Sequence, residues 1–244
     1  LDIKLLPGER IDELQRNGLR IIQNKKVFSF TMDSVLLSAF VSLTKGDKVV
    51  DLGTGTGVLP LLIVGRKQVK EVIGIEIQDL LADMSKRSVE LNNINNIQII
   101  KTDLKRIHEK LGHEQYDVVV SNPPYMIPKT GEISTLDAKA VARHEISCNL
   151  EDVIFEASKL VKYGGKFAMV HRPERIVDIC YLMRHYKLEP KRIRLVQSRP
   201  DSTPRILLIE GIKGGKPGLI TLPTLIIYEQ DGSYTEEVKK IYYT

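Results

Sequence analysis

The chain has 244 residues, 42% hydrophobic and 27% charged, a globular composition long enough for one substantial core, which excludes disordered, collagen-like and low-complexity classes. Its net charge of +5 permits a polyanionic partner without requiring one, and no apolar run approaches the roughly 18 residues of a membrane helix. The charged start LDIKLLPGERIDEL reads as no signal peptide, and two distant cysteines, Cys148 and Cys180, without metal-ligand spacing fit a reducing cytoplasm.

Residues 1–27 predict a short helix or turn over GERIDELQRNG and then a short strand over LRIIQ. FSFTMDSVLLSAFV (28–41) predicts a loop entering a helix near Asp33, a suitable N-cap. KVVDL (48–52) is a buried strand, followed by the turn GTGTG and an apolar helix, VLPLLIVGR. VIGIEI (72–77) is a second strand, DLLADMSKRSVELNN (79–93) an amphipathic helix, and IQIIKTD (97–103) a third strand. A short helix, LKRIHEKLG, precedes a fourth strand, YDVVVSNPPY (116–125), which runs into a Pro-Pro turn. The polar loop 126–148 is long enough to suspect function. LEDVIFEASKLVK (150–162) predicts a helix closed by Gly164-Gly165, KFAMVHR (166–172) a fifth strand, and PERIVDICYLMRHY a helix with Pro173 at its start. LEPKRIRLVQS and RILLIEGIK pair as an antiparallel hairpin. The tail reads as an extended segment, a turn at Asp231-Gly232 and a final short helix.

Strands alternating with helices predict an α/β, doubly wound parallel sheet with an antiparallel edge. A single domain is expected, with residues 1–27 as an N-terminal extension, 28–212 as catalytic core and 213–244 as a tail. Ligands of such sheets lie beyond the carboxyl ends of the strands. The turns there hold Asp51 to Gly57, Glu76, Asp103 and Asn122 to Tyr125.

Asp51-Leu52-Gly53-Thr54-Gly55-Thr56-Gly57 ends a strand and opens a helix, and its glycines let backbone approach a ligand. The dinucleotide fingerprint would be G-x-G-x-x-G, but Val58 stands where its third glycine should be. A pyrophosphate cradle, and with it a nicotinamide oxidoreductase, is therefore disfavoured. Glu76 ends the second strand, where an acid can hold both hydroxyls of a ribose, and Asp103 ends the third, within reach of an adenine amino group. Together they suit a nucleoside without phosphate.

This arrangement, over roughly residues 28–212, resembles the class I S-adenosylmethionine-dependent methyltransferases. The resemblance implies a Rossmann-like seven-stranded sheet of order 3-2-1-4-5-7-6 with its last strand antiparallel. It implies S-adenosylmethionine as cofactor, held by Asp51, Gly53, Thr54, Gly55, Gly57, Glu76 with Ile77, Asp103 with Leu104, and Asn122. No metal is expected.

Asn122-Pro123-Pro124-Tyr125 is the most specific signal. A conjugated NH₂ is a poor nucleophile because its lone pair is delocalised. Two acceptors on its two N–H groups localise that pair, here the Asn122 side-chain oxygen and the Pro123 carbonyl. Adjacent prolines fix the backbone, and Tyr125 can stack on the planar group. Positioning and electrostatics then supply the rate, not a strong base. The tetrapeptide resembles the amino-methyltransferase signature, whose acceptors include adenine N6, cytosine N4 and a glutamine amide.

GERIDELQRNGLRIIQ, FSFTMDSVLLSAF, ARHE (142–145) and PRILLIEGIKGG (204–215) resemble the bacterial tRNA (adenine-N6) methyltransferases of the valine-tRNA type, which modify the adenine 3′ of the anticodon. That family often has Gly where Met32 precedes Asp33. The expected function is methylation of adenine N6 in structured RNA, most simply tRNA, by a cytoplasmic enzyme; a monomer is assumed. Substrate-side candidates are Phe30, Asp33, Arg143, His144, Lys213 and Lys216, among basic residues that include Lys129, Lys139, Arg192, Arg194, Arg199 and Arg205. The alternatives are a protein glutamine methyltransferase, a ribosomal-RNA methyltransferase and a non-catalytic cofactor- or RNA-binding module. The first usually carries a helical domain where this chain has about 30 residues, and intact Asn122 and Pro123 argue against the last.

Overall fold

The computed structural model describes residues 3–24, 31–123 and 149–243. Two N-terminal strands, β1 (Glu9–Glu13) and β2 (Arg20–Asn24), form an antiparallel hairpin. The expected helix or turn over GERIDEL is thus a strand. Its polar side chains hid it: β1 is an edge strand held by its ladder to β2, while Ile21 and Ile22 of β2 carry the burial. Arg87 clamps Glu9 at 2.7 Å.

Helix α1 (Met32–Phe40) starts from Thr31 as N-cap. Asp33 is therefore not the cap but lies in the first turn, where a negative charge favours the helix N-terminus. The alternation then runs β3 (Lys48–Leu52), α2 (Val58–Arg66), β4 (Glu71–Glu76), α3 (Asp79–Leu91), β5 (Ile97–Lys101), α4 (Ile107–Leu111), β6 (Tyr116–Ser121), α5 (Leu150–Leu160) and β7 (Val161–His171). Helix α5 opens with a capping box between Asn149 and Asp152 and stops at Leu160. Gly164-Gly165 lies inside β7 rather than closing that helix, where the ladder to β6 shifts register between Tyr116 and Val118. A 3₁₀ turn (Pro173–Arg175) leads into α6 (Ile176–His185). The hairpin β8 (Leu188–Gln197) and β9 (Ile206–Lys213) follows, then β10 (Ile220–Thr221), β11 (Leu225–Ile226) and α7 (Glu236–Tyr243).

The large sheet has the order β10-β8-β9-β7-β6-β3-β4-β5, with β11 also on β8. From β5 to β8 this is the order that the family resemblance implied, with β9 antiparallel to both neighbours. The short parallel β10 and β11 add to the β8 edge. Helices cover both faces, α1, α2 and α7 on one and α4, α5 and α6 on the other, and two buried clusters fill the layers. No helix among the described residues is long and apolar enough to cross a membrane. The strand order reverses between β3 and β6, so the carboxyl ends of these two strands frame the crevice.

Candidate active site

The glycine turn hangs from β4. Gly53 and Thr54 both donate their N–H to the Ile75 carbonyl, at 3.0 and 2.8 Å, and Gly57 donates to the Thr54 carbonyl at 3.0 Å. Gly53, Gly55 and Gly57 have φ of +81°, +58° and +86°, a region that strains any residue with a Cβ. Gly57 has a second reason to be glycine, since a Cβ there would lie 2.3 Å from Ser85 Oγ of α3. The third glycine of this turn therefore serves close helix packing, which explains the G-x-G-x-G spacing.

Glu76 is buried at the end of β4 and grips two turns at once. Its carboxylate accepts from Gly55 N and from Gln78 N, both at 2.9 Å. Ile77 beside it remains 37% exposed, an apolar side chain at the rim. Asp103, two residues past β5, is half-buried and accepts from Lys105 N at 2.9 Å, and Leu104 packs partly against the core. The structure thus gathers Asp51 to Gly57, Glu76, Ile77, Asp103 and Leu104 at the carboxyl ends of β3, β4 and β5.

Asp51 is 1% exposed, and neither carboxylate oxygen nor the adjacent Thr54 hydroxyl has a hydrogen-bond partner among the described residues. Burial, reinforced by the Glu76 charge, pushes the Asp51 carboxyl up to about 7. A buried unpaired acid is costly unless a cation completes it. S-adenosylmethionine brings two cationic groups, an ammonium and a sulfonium, so the donor set fits it. We expect Glu76→Ala to weaken S-adenosylmethionine binding about 10- to 100-fold, the worth of one or two hydrogen bonds to a charged group. Calorimetric titration checks this; unchanged affinity removes Glu76 from the site.

Across the crevice, Ser121 Oγ donates to the Leu52 carbonyl at 2.7 Å and ties the ends of β6 and β3 together. Asn122 follows, half-buried, with its Nδ2 donating to Ser34 Oγ of α1 at 2.9 Å. Ser34 is itself buried, so α1 fixes the amide plane. With the nitrogen end held by Ser34, Oδ1 is the acceptor end of this amide. Pro123 is buried. Phe30, Pro124, Tyr125, Arg143 and His144 lie outside the described residues, as do Lys129, Lys139 and the loop 126–148.

Two residues at this site carry no signal of their own in the sequence: Ser34, and buried Gln23 of β2, whose Nε2 donates to Thr56 Oγ1 at 3.1 Å. Both lie in segments already singled out by resemblance, which was the available signal.

The basic residues divide by the edge they occupy. Arg192 pairs with Glu210 at 3.0 Å and caps the Phe40 carbonyl, and Arg194 grips Glu237. Lys213 donates to the carbonyls of Ser158 (2.5 Å) and Val161 (3.0 Å) and pairs with Glu114. Because β9 runs antiparallel, Lys213 ends at the start of β7, and the structure brings neither it nor Lys216 to the crevice. Exposed Arg199 and Arg205, in the β8–β9 connection, and Arg172, whose Nη1 donates to the Arg205 carbonyl at 3.0 Å, stand on the crevice edge. Asp33 is buried in α1, next to Ser34.

Residues 18–178 match the methyltransferase small domain model. A tRNA1(Val) (adenine(37)-N6)-methyltransferase of Parabacteroides distasonis is 32% identical over 182 residues, covering 73% of this chain and 74% of that protein. One of the same name from Porphyromonas gingivalis strain W83 is 28% identical over 86% of this chain and 85% of its own length. Among solved structures, one described as a predicted O-methyltransferase from Agrobacterium tumefaciens superposes with a TM-score of 0.70 at 23% identity, over 86% of this chain and 95% of that one. M. jannaschii TYW2 in complex with AdoMet gives 0.59 at 13% identity, over 86% and 87%. These two likenesses concern the fold.

Proposed function

The chain belongs to the methyltransferase small domain family and is an S-adenosylmethionine-dependent N-methyltransferase, and from that premise we propose that its acceptor is the N6 amine of an adenine beside the anticodon of a tRNA. The observation that carries this reading is the Asn122-Pro123 pair at the end of β6, in a chain similar over most of its length to proteins named for that reaction.

Bound S-adenosylmethionine supplies the electrophilic methyl group. In this reading Glu76 holds the ribose hydroxyls with the lone pairs that Gly55 N and Gln78 N leave over, and Asp103 takes the adenine amino group of the cofactor. Ile77 and Leu104 wall that base, and Asp51 answers the cationic end. Asn122 Oδ1 and the Pro123 carbonyl accept the two N–H groups of the target amine. That holds the amine in one orientation and concentrates its lone pair on nitrogen. The N–H protons remain in place until the nitrogen has become positive, when their acidity makes transfer to water easy. The sequence motif gives Tyr125 the role of stacking on the target base. Arg172, Arg199 and Arg205 meet phosphates along the crevice edge.

Labelled S-adenosylmethionine is incubated with total tRNA from a strain lacking this gene, and the nucleosides are resolved by mass spectrometry. We expect a new N6-methyladenosine in tRNA. Label confined to ribosomal RNA or to a protein overturns the choice of acceptor.

A further inference from the structure

At the end of the sheet opposite the glycine turn, the loop of the β1–β2 hairpin meets the C-terminus of α2 and the last turn of α7. Asn17 Nδ2 donates to the Gly65 carbonyl at 2.7 Å, and a Cβ on Gly65 would lie 2.7 Å from Leu19 Cδ1. This close packing places Arg16 and Arg66 side by side. Arg66 donates from Nε to Ser38 Oγ (2.8 Å) and from Nη2 to the Ile241 carbonyl (2.6 Å), the same oxygen that Arg16 Nη2 reaches at 3.3 Å. Arg16 is only 8% exposed, yet its buried Nε donates to nothing among the described residues. Neither guanidinium is in an ion pair with a described carboxylate. With Lys67 and Lys240 they line a cleft of about 370 Å³.

Buried charges are ordinarily paired, because an unpaired one keeps its full desolvation cost. Here burial, and after it the Arg16 charge, pulls the Arg66 guanidinium down to about 10, which still leaves it cationic at neutral pH, and burial lowers the Arg16 guanidinium as well. The Ile241 carbonyl, at the negative end of α7, supplies only part of a counter-charge. Such an array lacks one thing, a compact anion with several acceptor oxygens.

We propose that this cleft is a binding site for a phosphate group, held by Arg16 Nε and by the guanidinium N–H groups of Arg16 and Arg66 not already donated to Ser38 and Ile241, with Lys67 and Lys240 at its mouth. Guanidinium forks match the spacing of phosphate oxygens, and a bound phosphate gives the stranded Arg16 Nε–H its acceptor. The group comes either from an RNA backbone or from a free phosphate or phosphorylated small molecule.

Thermal melting of the full chain in inorganic phosphate, against chloride at equal ionic strength, tests the site without reference to activity. A ligand that binds only the folded state raises the melting temperature as its concentration passes Kd. We expect a rise of several degrees in wild type, absent in Arg16→Gln and reduced in Lys67→Gln, whose exposed side chain can be lost without touching the buried contacts. The salt dependence of tRNA binding then separates the sources. A log–log slope shallower by about one unit in Lys67→Gln assigns the cleft to the RNA backbone. An unchanged slope beside the phosphate-specific melting shift assigns it to a free phosphate group. If wild type shows no phosphate-specific shift and Lys67→Gln binds tRNA with an unaltered slope, the proposal is wrong.

Discussion

Asn122→Ala should lower kcat about 100- to 1000-fold while leaving S-adenosylmethionine affinity near wild type. The expected size is that of removing one preorganised hydrogen-bonding group from a site that works by orientation. The amide of Asn122 is held through Nδ2 by Ser34 Oγ at 2.9 Å, and Ser34 is buried in α1. Its acceptor end is thus aimed before any amine arrives. Ser34→Ala releases the amide without deleting it and should fall between, about 10-fold down in kcat, with the cofactor Kd unmoved. Single-turnover methyl transfer with calorimetry on the same samples separates the two quantities. Near wild-type turnover in Asn122→Ala overturns the orientation mechanism, and cofactor binding lost in step with turnover reassigns Asn122 to the cofactor.

Asp51→Asn should act in opposite directions on stability and on binding. The folded state raises this carboxyl from an ordinary 3.8 to about 7, chiefly through burial. Between those two values the folded chain holds a proton that the unfolded chain has released, so stability falls as pH rises through the window. Above about 7 the whole cost of a buried unpaired carboxylate is present, on the order of a few kcal/mol. The neutral amide removes that cost. The ligand-free variant should melt several degrees higher than wild type at pH 8 and close to it at pH 4. The same substitution removes the negative charge that answers a cationic ligand, so S-adenosylmethionine affinity should drop by more than 10-fold. In wild type that affinity should strengthen as pH rises through about 7, and in Asp51→Asn this pH dependence should flatten. A variant that melts no higher than wild type at pH 8 shows that Asp51 carries no such burden. Stability held back for function is the expected pattern at a binding site.

Much of this site was legible because each of its signals is local. The GTGTG turn needs positive φ at three glycines, and each of those positions has it. Glu76, Asp103 and Asn122 sit at or just past strand ends, and strands β3 to β6 announce themselves as short apolar runs between helical ones. Alternation of strands and helices gave a parallel sheet, while the strand order came from the family resemblance. The hairpin β8–β9 followed from two adjacent runs with a polar turn between them. Misreadings came where neighbours outvoted local pattern. β1 has no apolar face and exists because β2 offers it a ladder. Gly164-Gly165 reads as a helix stop, yet it serves a register shift between β7 and β6.

The sequence by itself determined the class of sheet, the turns that line the crevice and the side chains with the chemistry for a nucleoside cofactor and an amine. Those are properties of short segments, set by backbone sterics and by period. Tertiary structure alone decided which polar groups meet across the chain. It joined Ser34 to Asn122 and Gln23 to Thr56, pairs separated by 88 and 33 residues. It also sorted the basic residues, tying half-buried Lys213 to two carbonyls at one end of the sheet while leaving Arg199 and Arg205 exposed at the other. It left the Asp51 carboxylate oxygens and the Arg16 Nε buried without a hydrogen-bond partner among the described residues. Nothing in a run of letters encodes such placements, because the electrostatic cost of a charge depends on what the folded chain packs around it.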